Sequence, residues 1–133
     1  MSQVEVTVRY AILKKSQDWF GKMENYVKVK ANNGTGQLTE FKTKIVKGDK
    51  EKPITWDETF TFTARPGNGA ILEFIVMDED MTSDDICGKG FFKLDACGVF
   101  NYGGSQNYNI RILEDNTKKE VEAGNLHITT RLR

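Results

Sequence analysis

The sequence predicts an all-β protein, an eight-stranded antiparallel β-sandwich, and three observations carry that prediction. Val, Ile and Thr together number thirty against thirteen Ala and Leu, and fourteen aromatics push the same way. Such side chains fit a pleated, half-buried surface. Apolar and polar residues alternate in short segments, the period of a strand with one wet face. Turn clusters separate the segments: Asn32-Asn33-Gly34, Pro66-Gly67-Asn68-Gly69, Gly103-Gly104 and Glu122-Ala123-Gly124.

The elements follow in order. Val4, Val6 and Val8 alternate with Glu5, Thr7 and Arg9, and Val27 and Val29 with Lys28 and Lys30. Phe41, Thr43 and Ile45 alternate with Lys42 and Lys44, and Phe60 and Phe62 with Thr59, Thr61 and Thr63. Leu72, Phe74 and Val76 form one face of the fifth segment, while Ile71, Ile75 and Met77 make its other face apolar, which predicts a central strand. Phe91, Phe92 and Leu94 follow Gly90; Tyr108, Ile110 and Ile112 form the seventh segment; Leu126, Ile128, Thr130 and Leu132 form the eighth. Residues 95–100 have room for one helical turn.

The chain has 133 residues, enough to bury a core without staples. Nineteen basic residues balance nineteen acidic ones, which excludes a general nucleic-acid binder. No run of eighteen apolar residues predicts a membrane span. The first residues carry neither a basic leader nor an apolar stretch, so no signal peptide is expected and Cys87 and Cys97 are expected as free cytosolic thiols. One histidine argues against a His base and against a His-built zinc site.

If successive strands run up and down, residues 14–25, 47–58 and 78–88 gather at one end, where loops on a rigid sandwich make a natural binding site. The third of these loops holds Asp78, Glu79, Asp80, Asp84 and Asp85, five carboxylates in eight residues. The first adds Asp18 and Glu24. Crowded like charges repel, and a hard cation with oxygen ligands relieves them. Calcium takes six to eight oxygens from flexible loops, which suits carboxylates at alternate positions such as Asp78 and Asp80; magnesium prefers fewer protein ligands. The alternative is an acidic turn that is simply solvated.

Three ordered motifs carry a resemblance. Asp18-x-x-Gly21-x-x-Glu24-Asn25-Tyr26-Val27-Lys28-Val29 is similar to the first loop and following strand of a C2 domain, D-x-x-G-x-x-D-P-Y-V. Pro53-Ile54-Thr55-Trp56-Asp57-Glu58-Thr59-Phe60-Thr61-Phe62 is similar to its P-x-W-N-E-x-F-x-F. Leu72-x-x-x-Val76-x-Asp78-x-Asp80, followed by Asp85-x-x-Gly88, resembles its third loop. The resemblance spans residues 4–132 and implies one C2-like domain over residues 1–133. The start before loop one and the closing Gly124-Asn125-Leu126-His127-Ile128 resemble the circularly permuted, type II topology and the small stand-alone C2 proteins.

The resemblance implies calcium as cofactor, up to two ions, held by Asp18, Glu24, Asp78, Asp80 and Asp85. The sequence departs from the pattern at four places. Glu24 stands for an Asp, Asn25 for the Pro, and Pro53 and Trp56 are one residue further apart than usual. The stretch from Asp80 to Gly88 is one residue short, which leaves Asp84 as the alternative to Asp85.

Trp19 and Phe20 follow a ligand position, and Met81 takes the matching place in loop three. Their reading is a wedge that enters the headgroup region of an anionic phospholipid membrane, with packing of Phe20 back on the core as its alternative. Lys28, Lys30, Lys42 and Lys44 sit at alternate positions of two adjacent segments, a comparable patch to the one that binds phosphoinositide headgroups in C2 domains. The bland reading is a solvated lysine face protecting a sheet.

The function expected is a calcium-dependent, peripheral membrane-binding module, cytoplasmic and reversibly membrane-associated, and not an enzyme. Two alternatives stand beside it. One is a calcium-independent C2-like scaffold for a protein partner, which would have no reason to keep five acidic positions. The other is a carboxylate hydrolase using Asp78 and Asp80, which lacks any supporting His or Ser–base pair.

Overall fold

The computed structural model describes residues 1–14, 23–48, 52–79, 84–114 and 121–133. Among them run nine strands: β1 (Ser2–Leu13), β2 (Met23–Asn32), β3 (Leu38–Lys42), β4 (Val46–Gly48), β5 (Ile54–Ala64), β6 (Ile71–Asp78), β7 (Asp85–Lys93), β8 (Gly104–Leu113) and β9 (Glu122–Leu132). A single 3-10 turn, Val99–Asn101, follows β7. Among the described residues no helix is long and apolar enough to cross a membrane.

The hydrogen-bonded order is β3-β2-β6-β7-β8-β9-β1-β5, with β4 also on β2. All its pairings are antiparallel. Between β7 and β8 only Lys89 and Leu113 pair, and there the ladder folds over into two layers. Gly88 and Gly90 permit the close approach. A Cβ on Gly88 would come within 2.6 Å of the Ile112 side chain, and one on Gly90 within 2.7 Å of Arg111 O. Any side chain there would push β7 and β8 apart.

Alternation along the strands fills the space between the layers. Val4, Val6 and Val8 from β1 meet Val27 and Val29 from β2, Leu72, Phe74 and Val76 from β6, and Leu126 and Ile128 from β9 in one buried cluster. Full burial of each such side chain contributes about 1.5–3 kcal/mol. On β6 the other face is also covered, because Ile75 and Met77 pack with Tyr26 in a small second cluster. That strand lies between β2 and β7, the central position its doubly apolar pattern requires.

The third expected segment is two strands. β3 ends at Lys42 and β4 begins at Val46. Thr43 causes the break: its Oγ1 accepts the Val27 N–H at 2.9 Å while its own N–H donates to Val27 O at 3.0 Å. The Lys44 N–H then turns away to Glu58 Oε2 at 2.7 Å. Both pieces run antiparallel to β2, so the chain direction does not change. The up-and-down count of loops therefore survives the interruption.

Candidate metal centre

Pairing registers gather the acidic loops at one end. Asn25 opposite Asp78 puts the start of β2 beside the end of β6, and Met23 opposite Gly48 puts the end of β4 there too. The Glu79 N–H donates to Glu24 O at 2.8 Å, tying the first and third loops together. The β8–β9 connection reaches the same end, since Leu113 pairs with Glu122 and Leu13 with Gly124. Lys14 holds Glu122 there at 2.9 Å, and that contact draws the carboxyl below its usual range.

Of the expected ligands, Asp78 ends β6 and Asp85 opens β7, directly opposite one another in the ladder. Asp78 Oδ1 accepts the Glu24 N–H at 3.2 Å. Glu24 is half-buried, one rung before Asn25. Asp18, Trp19, Phe20, Asp80 and Met81 lie outside the described residues. Among the described residues no three acidic, His or Cys side chains are placed to hold one metal ion.

In donor chemistry, though not in placement, the residues present are of the type a hard cation takes. Asp78, Asp85 and Glu24 offer oxygen, the ligand type calcium selects. The buried Cys87 sulfur beside Asp78 is a poor ligand. Burial, and then the negative charge of Asp78, push the Cys87 thiol up to about 12, so it stays protonated. Beside it, Asn25 is wholly buried: its Nδ2 donates to Met77 O at 3.0 Å, while among the described residues its Oδ1 has no hydrogen-bond partner. Gly48 makes room for that amide, because a Cβ there would stand 2.7 Å from Oδ1. The Trp56 indole closes the base of the site, donating to Asn25 O at 3.2 Å.

The two adjacent acids of loop three are not equivalent. Asp84 Oδ2 accepts the Tyr26 hydroxyl at 2.5 Å. Tyr26 is 7% exposed, and burial first, then Asp84, push its phenol up to about 12. The phenol remains the donor and Asp84 its acceptor, on the Met77 side of the sheet rather than opposite Asp78.

The lysines divide as well. Lys28 sits opposite Lys42, and Lys30 opposite Glu40, on the outer face of β2 and β3. Lys28 Nζ also lies 3.6 Å from Glu40 Oε1. Lys44 falls beyond β3, in the segment turned toward Glu58. Sequence reading missed a further member: the Lys42–Lys28 rung continues through Ile75 to Lys89 on β7. Its signal is the alternation of Lys89, Phe91 and Lys93 across Gly90, hidden because a glycine reads as the start of a strand rather than its interior.

Comparisons with known proteins agree with this architecture. Multiple C2 domain and transmembrane region protein 8 of Arabidopsis thaliana is 35% identical over 79 residues, 59% of this chain and 7% of that protein. FT-interacting protein 7 of Oryza sativa subsp. japonica is 30% identical over 79 residues, 59% of this chain and 9% of that protein. The chain thus spans less than a tenth of the length of these curated relatives. Among solved structures, a C2 domain of plant extended synaptotagmin 1 superposes with a TM-score of 0.77 at 19% identity, covering 99% of this chain and 94% of that one. Human GIVD cytosolic phospholipase A2 gives 0.72 at 22% identity over 98% of this chain, but only 17% of its own. The C2 domain family model matches residues 2–110, and the chain belongs to the C2 domain family.

Proposed function

We propose that residues 1–133 act as one calcium-dependent module that binds anionic phospholipid membranes peripherally and reversibly from the cytoplasm. The observation that carries this reading is the pairing of Asp78 and Asp85 across β6 and β7, with Glu24 hydrogen-bonded to Asp78 at the same end. Asp18, Glu24, Asp78, Asp80 and Asp85 would hold the ion. Bound there, calcium supplies positive charge that cancels the carboxylates and offers coordination sites to lipid phosphate. Asp85 is preferred to Asp84 because Asp84 already serves Tyr26.

Two surfaces complete the module. Trp19, Phe20 and Met81 would enter the headgroup region, where large amphipathic side chains are favoured. Lys28, Lys30 and Lys42, joined by Lys89, would meet phosphate headgroups, including phosphoinositides, along one face. Lys44 has a lesser place in that patch.

Tryptophan emission tests the reading, since the chain has only Trp19 and Trp56. Trp56 is buried against Asn25 and should stay silent. Calcium and anionic vesicles added together should shift emission to the blue, while neither alone does. Trp19→Ala should lose the shift and weaken vesicle binding by about ten- to a hundredfold, the equivalent of one aromatic withdrawn from lipid. An unchanged vesicle affinity for Trp19→Ala would remove the wedge from the proposal.

A further inference from the structure

We propose that the outer edge of β5, from Thr59 to Thr63, is a self-pairing surface through which two copies of this chain join their sheets antiparallel about Thr61. β5 closes the strand order, so among the described residues one of its edges has no neighbour in the ladder. The direction of its backbone groups follows from the pairing of β1. The Arg133 N–H donates to Gln3 O, so the peptide groups of Gln3 face β9 and those of Ser2, Val4 and Val6 face β5. Their partners Ala64, Phe62 and Phe60 therefore point their groups at β1. Thr59, Thr61 and Thr63 point theirs outward. Arg65 shares that parity, and its N–H does reach outward, to Asn33 O at 3.0 Å.

That contact closes the edge at one end. At the other, Glu58 Oε2 accepts the Lys44 N–H. Between these two brackets, among the described residues, nothing pairs with the backbone of Thr59, Thr61 and Thr63. Exposed edges are normally blunted by charge, proline, a bulge or brevity. β3, at the far end of the order, follows that rule: it has five residues and carries Glu40 and Lys42. The Thr-Phe-Thr-Phe-Thr window of β5 has no charge and no proline, and the kink at Asp57, with φ of 49°, lies outside it.

The window is also self-complementary. Rotation about Thr61 sets Thr61 against itself, Thr59 against Thr63 and Phe60 against Phe62. The facing residues are those whose N–H and C=O groups point outward, so each threonine pair exchanges bonds in both directions. Cross-strand Thr–Thr pairs are favourable neighbours. A cavity of about 170 Å³ opens along the same edge, lined by Val29, Phe41 and Phe60, and the Phe41 and Phe60 rings stack at 4.3 Å. An added strand would cover it. A second copy fits this isologous arrangement, in which the same patch serves both subunits.

Sedimentation equilibrium in chelator, from micromolar to millimolar protein, tests the proposal apart from any calcium binding. The wild type should pass from 15.1 kDa monomer to a species of twice that mass. Hydrogen exchange at the dilute and concentrated limits should protect the Thr59, Thr61 and Thr63 amides only when concentrated, and the Phe60 and Phe62 amides at both. Thr61→Pro deletes an outward N–H that β1 does not use, so it should keep the monomer's circular dichroism and abolish the dimer. Thr61→Lys, which sets like charges opposite each other, should also abolish it and guards against a folding defect of the proline variant. A monomer at every concentration, or a dimer that both variants keep, overturns the proposal.

Discussion

Asp84 and Asp85 are neighbours with different surroundings, and under the proposed function that difference would choose between them as calcium ligands. Asp84 accepts the buried Tyr26 hydroxyl, whereas Asp85 stands opposite Asp78. Calcium titration calorimetry should therefore show Asp85→Asn losing more affinity than Asp84→Asn, because a ligand removes part of the cage and a bystander only distant charge. A larger loss with Asp84→Asn would move the ligand set by one residue. Motif spacing to Gly88 favours Asp85 but keeps Asp84 as the alternative, since it counts residues and cannot see a hydrogen bond reaching from loop three back to β2. Tyr26 carries its own expectation. Burial and then Asp84 push its phenol from the ordinary 10.0 up to about 12, so the stability it lends is complete below pH 10 and is lost as the pH rises toward 12. Tyr26→Phe should lower Tm at neutral pH, by a hydrogen bond of about 1 kcal/mol, and flatten the fall of Tm across that alkaline window. An unchanged alkaline slope would contradict the buried donor. The cysteines separate on similar grounds: Cys97 is exposed and Cys87 buried beside two carboxylates. A thiol reagent at neutral pH should modify Cys97 alone in the folded protein and reach Cys87 on denaturation.

At the scale of elements, alternation located the strands because sheet faces alternate with period two. It merged β3 and β4, because Thr43 breaks the ladder with its side chain and a threonine reads as strand in any pattern. The same break explains Lys44: parity put it beside Lys42, but its backbone turns to Glu58. Conversely, Lys89 joins the basic row through a register that only the assembled sheet supplies. Parity also served the acidic loops well. It holds wherever successive strands run up and down, whichever layer they join, and the gathering of the β1–β2, β4–β5 and β6–β7 connections at one end follows from it. The contribution of the lysines should be separable from that of the loops. Lys28→Ala with Lys89→Ala should weaken binding to phosphoinositide-containing vesicles, and the loss should shrink at high salt, where headgroup attraction is screened. Their calcium affinity in solution should be unchanged. A fall in calcium affinity would show that the row supports the ion site rather than the lipid.

For the molecule as a whole, net charge zero conceals a polar distribution: acidic loops gathered at one end and a lysine row across one face. On the proposed reading, anionic lipid would repel the loop end until the carboxylates are neutralised, which would make recruitment conditional on the ion. An ion that binds only the folded state also raises stability by mass action, about 2.7 kcal/mol at a hundred times its dissociation constant. The most direct measurement is co-sedimentation of the whole chain with phosphatidylserine vesicles in calcium, in magnesium and in chelator, with Asp78→Asn alongside. Binding in calcium alone, lost in Asp78→Asn while that variant keeps its fold, is the predicted result. Equal sedimentation in calcium and chelator, or none in either, would contradict a calcium-dependent membrane module.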